Sequence, residues 1–61
     1  MNKIAQLQTG KKYTFITTEN KEYKATYLDK DDIYIYLKNV KYGAKFASLY
    51  TIPISLIERV S

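Results

Sequence analysis

Residues 11–38 read KKYTFITTENKEYKATYLDKDDIYIYLK, and this stretch decides the fold. Polar and apolar residues alternate along 11–18, 22–28 and 33–38, a period-two pattern that is typical of β-strands with one buried face. Residues 19–22 form a tight turn between the first two strands, where Asn20 tolerates the positive φ that such hairpins require. The acidic segment 29–32 forms the next turn. The sequence therefore predicts a three-stranded antiparallel meander.

The same alternation sorts the side chains onto two faces of this sheet. We expect the core face to carry mainly aliphatic and aromatic residues, namely Ile33, Ile35, Leu37, Tyr13, Phe15, Ala25 and Tyr27. The opposite face then carries Lys12, Thr14, Ile16, Lys24, Thr26, Tyr34, Tyr36 and Lys38. Basic and aromatic residues are thereby expected to share one outer surface.

The remaining segments predict short elements around the meander. Residues 2–8 form one helical turn or a lid strand, ended by Thr9 and Gly10. Residues 39–47 form a loop or a frayed hairpin with its turn at Gly43, and 48–52 form a fourth strand. Pro53 ends that strand because it lacks a backbone N–H, and 53–56 form one 3₁₀ turn. A last strand at 57–60 returns to the first one and closes the sheet, so residues 1–61 are expected to form a single all-β domain, a small five-stranded barrel.

Composition argues against catalysis and metal binding. The 61 residues contain no Cys and no His, so disulfides and thiolate or imidazole metal sites are excluded. The carboxylates Asp29, Asp31 and Asp32 lack the ligand spacing of a dedicated calcium loop, and a polar turn explains them better. We therefore expect no enzyme activity, no metal and no cofactor.

Charge points towards anionic partners. Ten Lys and Arg residues against six Asp and Glu give a net charge of +4. An excess of this sign favours nucleic acid or another anionic partner, although it also serves solubility. No apolar run has the length of a membrane span, and the first residues lack the core of a signal peptide, so we expect a cytoplasmic protein without membrane association. The many Lys, Tyr and Ile residues are typical of thermophilic proteins.

The order of these elements resembles small SH3-like barrels, and more particularly the Sm-like family of RNA-binding proteins. The resemblance spans residues 10–60 and rests on TGKKYTFIT at 9–17, EYKATYLD at 22–29, DIYIYLKNV at 32–40 and IPISLIERV at 52–60. It implies a five-stranded barrel and RNA binding. The chain is also similar in size, charge and composition to the small basic barrel proteins that coat archaeal DNA.

The chain departs from the Sm-like pattern at the RNA pocket of that family. Ile33 or Tyr34 stands where an Asn is expected, and Pro53-Ile54 replaces a basic residue followed by Gly. The uridine pocket and the ring oligomer of that family are therefore not implied. Asp29 is the remaining family-like polar residue, and its turn position explains it equally well.

The outer face of the predicted sheet is the candidate binding site. Lysines can contact phosphates, and exposed tyrosines can stack on bases. The candidate residues are Lys12, Lys24, Tyr34, Tyr36 and Lys38, extended by Lys41, Tyr42 and Lys45 from the loop. The tyrosines can equally serve only to stabilise the sheet by cross-strand pairing. A further alternative is a protein-interaction or homo-oligomeric module that uses a strand edge or a surface formed by Tyr13, Tyr23 and Tyr27.

Overall fold

The computed structural model describes residues 6–61 as one strongly curled antiparallel sheet. Five strands follow one another along the chain, and one 3₁₀ turn at Ile54–Leu56 precedes the last of them. The strands are β1 (Lys12–Thr17), β2 (Glu22–Lys30), β3 (Tyr34–Tyr42), β4 (Lys45–Pro53) and β5 (Ile57–Val60). The prediction of an all-β fold with five strands and a 3₁₀ turn is confirmed. Most of the expected N-terminal turn, at 2–8, lies outside the described residues.

The strand order in the sheet is β4-β3-β2-β1-β5. The last strand returns to the first, as predicted, with Phe15 opposite Val60 and Ile16 opposite Arg59. The described backbone ladders do not join β4 to β5, so the expected closure into a hydrogen-bonded barrel is incomplete. Pro53 at the end of β4 has no N–H to donate, and the 3₁₀ turn leads the chain directly into β5.

The 3₁₀ turn nevertheless draws the two ends of the sheet together. The N–H of Thr18 donates to the carbonyl oxygen of Leu56 at 2.8 Å, and the N–H of Ile54 donates to the carbonyl oxygen of Ile33 at 2.8 Å. Ile52 from β4 and Val60 from β5 also enter the same core. The sheet is therefore curled around one core, although no described backbone ladder joins its edge strands β4 and β5.

The turn between β1 and β2 forms as the sequence predicts. The N–H of Asn20 donates to the carbonyl oxygen of Thr17 at 2.9 Å, and the N–H of Thr17 donates to the carbonyl oxygen of Lys21 at 2.9 Å. Asn20 has a φ of 62°, which Asn accepts more readily than most side chains.

The acidic turn differs from the prediction at Ile33. This residue is 62% exposed, so its assignment to the core is wrong. The carboxylate oxygen Oδ1 of Asp31 accepts hydrogen bonds from the N–H groups of Ile33 at 2.8 Å and Tyr34 at 2.7 Å. Because this bend holds Ile33 outside the ladder, β3 begins only at Tyr34.

Of the two alternatives predicted for 39–47, the structure has the hairpin rather than the loop, and the strands of this hairpin are regular rather than frayed. Strand β3 continues to Tyr42 and β4 begins at Lys45, which leaves a two-residue turn at Gly43 and Ala44. Asn39 takes a φ of 52°. At this point β3 has two residues between consecutive paired positions where β2 has one, which is a β-bulge. This bulge breaks the alternation that the sequence pattern assumed.

The core lies on the face predicted for Ile35 and Leu37, both of which are fully buried. Tyr23 and Tyr27 are buried as well, so the alternative of a tyrosine-rich partner surface that includes them is wrong. Half-buried side chains, among them Leu7 and Tyr13, pack around this core. The buried apolar residues are Phe15, Tyr23, Ala25, Tyr27, Ile35, Leu37, Val40, Ile52 and Val60.

Candidate functional site

Two rows of side chains cross the outer face of the sheet, opposite the core. Directly opposed residues in an antiparallel ladder share a face, so the register defines each row. The first row runs from β1 to β4 through Thr14, Lys24, Lys41 and Phe46. The second row runs beside it through Lys12, Thr26, Lys38 and Leu49. Four of the predicted lysines thus lie on one face.

Three of these lysines line a single open groove of about 570 Å³. Lys12, Lys24 and Lys41 are all exposed, whereas Thr26 is buried at the floor between them. We call this surface the lysine groove; its outer-face lining consists of Lys12, Thr14, Lys24, Thr26, Asn39, Lys41 and Phe46. Lys38 lies next to the groove in the second row and is not part of its lining.

The lysine groove carries charge of one sign. Within the described part of the chain, no Asp or Glu side chain lines it. Glu22 lies one row further along β2, and the acidic turn that contains Asp31 lies at the other end of β3. A groove with three ammonium groups and no Asp or Glu side chain among its described lining residues attracts anionic ligands.

Phe46 supplies the aromatic surface of the lysine groove. It lies opposite Lys41 in the β3–β4 ladder and is 63% exposed. Phe46 is not among the site residues predicted from the sequence, which places it in a loop or a frayed hairpin. A two-residue turn at Gly43 and Ala44 is the signal that places Phe46 opposite Lys41.

Tyr34 and Tyr36 point away from the core, but they do not join the lysine groove. The hydroxyl group of Tyr36 donates a hydrogen bond to the carboxylate of Asp31. This bond, together with the N–H groups of Tyr34 and Ile33, lowers the pKa of Asp31, and the carboxylate in turn raises the pKa of Tyr36. Tyr36 is thus held towards the acidic end of the sheet, and neither tyrosine lines the groove; that the two tyrosines contribute to a binding surface stays a prediction.

Tyr42 and Lys45 lie on the core side of the β3–β4 hairpin rather than on the outer face. They oppose each other in the ladder, and the ring of Tyr42 stacks on Tyr23 with a centroid distance of 4.6 Å. The ring of Tyr50 also stacks on Tyr23, with a centroid distance of 5.5 Å, so the ring of Tyr23 is sandwiched between two rings. The expectation that Tyr42 and Lys45 extend the outer face is therefore wrong.

These rings border a second open pocket, of about 290 Å³. We call it the tyrosine pocket; it is lined by Tyr23, Val40, Tyr42, Lys45, Phe46, Ala47 and Tyr50. Burial, followed by the hydrogen bond with Tyr50, raises the pKa of Tyr23 to about 12. The ammonium group of Lys21 lies 5.8 Å from the ring centroid of Tyr42, within cation–π range, and the hydroxyl of Tyr42 raises the pKa of Lys21.

Residues 6–61 meet neither the requirements of a metal site nor those of a membrane-spanning helix. No group of three or more His, Cys, Asp or Glu side chains in this part of the chain could hold a metal ion. The same residues include no helix with the length and apolar character that crossing a bilayer requires. The chain matches no known protein-family model and no curated protein sequence.

Proposed function

We propose that this protein is a non-enzymatic nucleic-acid-binding module that uses the lysine groove. The observation that carries the proposal is the convergence of Lys12, Lys24 and Lys41 on one groove with the exposed ring of Phe46 and with no Asp or Glu side chain among the described lining residues. Lysines meet backbone phosphates as point charges, and an aromatic ring offers a stacking surface to any base.

This mode of binding reads the backbone rather than the base sequence. Contacts to phosphates position a nucleic acid without discriminating among its bases. Stacking on Phe46 is likewise tolerant, since every base has an aromatic face. We therefore expect low sequence specificity, a dissociation constant on the order of micromolar at low salt, and a steep loss of affinity as salt rises.

The resemblance to Sm-like proteins enters the proposal through the element order alone. The five strands and the 3₁₀ turn before the last strand agree with that order. The pocket of that family is not part of the proposal, because Ile33 occupies an exposed bend and Pro53 ends β4. The proposal includes the cytoplasmic setting expected from the sequence, where nucleic acids are available as ligands.

A salt-dependent titration tests the proposal. A fluorescent single-stranded oligonucleotide is titrated with the protein at 20 mM and 200 mM NaCl, and anisotropy reports binding. Neutralising one groove lysine, as in Lys24→Gln, should weaken binding and reduce the slope of log K against log salt by about 0.7. The matched control is Lys30→Gln, since Lys30 is an exposed lysine outside the groove.

The aromatic part of the proposal has its own matched pair. Phe46→Ala should weaken binding about 5- to 150-fold, the range expected for losing one stacked base. Leu49→Ala removes a similarly exposed apolar side chain from the same strand, outside the groove, and should leave binding unchanged. Absence of binding at low salt, or equal losses in the groove variants and their controls, contradicts the proposal.

Strand β4 favours a second candidate function, assembly through a free strand edge. It is the outer strand of the sheet, and Leu49 on it is 70% exposed. An apolar edge strand can pair with the edge of a second copy or of a partner. Light scattering coupled to gel filtration tests self-assembly: a dimer or larger species that Leu49→Lys dissociates supports it, whereas a monomer at all concentrations contradicts it.

A further inference from the structure

Phe46 belongs to the lining of both cavities described above: its side chain lies on the outer face of edge strand β4, whereas its chain neighbours Lys45 and Ala47 lie on the core side. On one side it borders the lysine groove with Lys41, and on the other it borders the tyrosine pocket with Ala47 and Tyr50. The two cavities therefore meet at one exposed side chain. A ligand that lies along the groove has the tyrosine pocket within reach of a group that extends from it.

One cavity has the chemistry that suits the phosphate of a nucleotide, and the other has the chemistry that suits its base. The groove presents ammonium groups, which suit phosphates. The tyrosine pocket presents the rings of Tyr42, Tyr50 and Phe46 and the apolar side chain of Ala47, with Lys45 as its one charged lining residue. Its volume of about 290 Å³ is at the lower end of the range for small-ligand sites. Aromatic rings in this arrangement suit a flat, aromatic group.

We propose that the tyrosine pocket takes one unpaired base of the strand whose phosphates lie in the lysine groove, so that the ligand is single-stranded. This inference rests on the proposed function of the groove. The exposed ring of Tyr50 and the half-buried ring of Tyr42 form the stacking surfaces for that base. A duplex would have to unpair and unstack a base to fill the same pocket, which is unfavourable.

Abasic oligonucleotides separate the two parts of the site. Three probes of equal length are compared at low salt: a single strand, the same strand with abasic positions throughout, and the duplex. The abasic strand keeps every phosphate and loses every base. The intact strand should bind at least about 5-fold more tightly than the abasic strand, and more tightly than the duplex.

Substitutions in the tyrosine pocket test whether the difference in affinity between the intact and the abasic strand comes from this pocket. Tyr50→Leu keeps apolar bulk and removes the aromatic ring, so it should reduce the preference for the intact strand over the abasic strand. Tyr34→Leu is the matched control, because Tyr34 and Tyr50 are both 41% exposed and Tyr34 lines neither cavity. Circular dichroism checks that both variants fold. Tyr42→Leu provides the same test if Tyr50→Leu does not fold, because Tyr42 lines the tyrosine pocket and not the groove.

Each outcome decides one of the two proposals. If the intact strand binds but the abasic strand or the duplex binds equally well, the base-binding pocket is overturned and only the phosphate contacts of the lysine groove stand. The pocket is also overturned if Tyr50→Leu and Tyr42→Leu both retain the full preference for bases. If no probe binds at low salt, the proposed function itself is overturned.

Discussion

Lys24 and Lys41 lie directly opposite each other across strands β2 and β3. Two like charges in directly opposed positions destabilise a sheet, because their side chains are held close together. Lys12 lines the same groove and adds a third positive charge. The fold thus contains a repulsion that an anionic ligand would relieve, which is an arrangement typical of binding sites that reduce stability.

Reversing one charge of this pair should therefore separate stability from binding. We expect Lys41→Glu to raise the free energy of unfolding by about 0.2–1 kcal/mol at low salt, because a repulsive pair becomes an attractive one. The same variant should lose oligonucleotide binding. Urea denaturation at 20 mM and 1 M NaCl measures the first effect, and the gain should shrink at high salt. A loss of stability at low salt would contradict this reading of the pair.

The exposed Ile33 and the fully buried Ile35 provide a direct test of the strand register. Ile35→Val should lower the free energy of unfolding by about 0.5–1.5 kcal/mol, since it deletes a methylene group from the core. Ile33→Val makes the same chemical change at an exposed bend and should stay within about 0.5 kcal/mol of the parent protein. Chemical denaturation of both variants measures the difference. Equal losses would show that the core is placed wrongly.

The sandwiched position of Tyr23 predicts loss of stability in alkaline solution. Burial raises its pKa to about 12, so the folded protein keeps the hydroxyl proton while the unfolded chain releases it near pH 10. Stability from this group is present below about pH 10 and is lost as pH rises towards 12. Tyr23→Phe has no hydroxyl to ionise, so its urea midpoint should fall less over this range. Parallel pH profiles of the two proteins would contradict the prediction.

The hydrogen bonds of Asp31 predict that the protein loses stability as the pH falls in acid solution. Its pKa is lowered by the hydroxyl of Tyr36 and by the N–H groups of Tyr34 and Ile33, so the charged form is favoured in the folded state. This contribution is present above the ordinary pKa of the carboxyl group and is lost as pH falls through the lowered value.

Amide substitution tests this assignment. Asp31→Asn removes the titration and keeps an oxygen that can accept the two backbone hydrogen bonds, so we expect a flatter stability profile below about pH 4. Asp32→Asn is the control, because Asp32 is a neighbouring exposed carboxylate, and it should follow the profile of the parent protein. Acid profiles measured by thermal denaturation distinguish the two variants. A flattened profile for Asp32→Asn but not for Asp31→Asn would overturn the assignment.

Much of the fold follows from the sequence, because alternation is a strong signal wherever it is regular. It predicts β1, the hairpin at Asn20 and the inward direction of Ile35 and Leu37. It fails at Ile33, where the carboxylate of Asp31 binds two backbone N–H groups and outweighs the apolar character of the side chain. It fails again after Asn39, because a bulge changes which residues face the core.

The same bulge limits what the sequence could predict about the candidate site. Lys12, Lys24 and Lys41 were all selected as candidate residues, and all three line the groove. Phe46 is absent from the predicted site because a loop and a frayed hairpin around Gly43 both leave the direction of its side chain open, whereas the regular hairpin places it opposite Lys41. Tyr36 was selected because it faces outwards, but direction alone could not predict its bond to Asp31.

Chemical-shift mapping tests the central claim most directly. A ¹⁵N-labelled sample is titrated at low salt with an unlabelled single-stranded oligonucleotide, and shifted backbone amides are located in the fold. The lysine groove as binding site predicts the largest shifts at Lys24, Lys41 and Phe46, with small shifts at Tyr34 and Tyr36. Absence of shifts, or shifts centred on the acidic turn at 31–33, would contradict it.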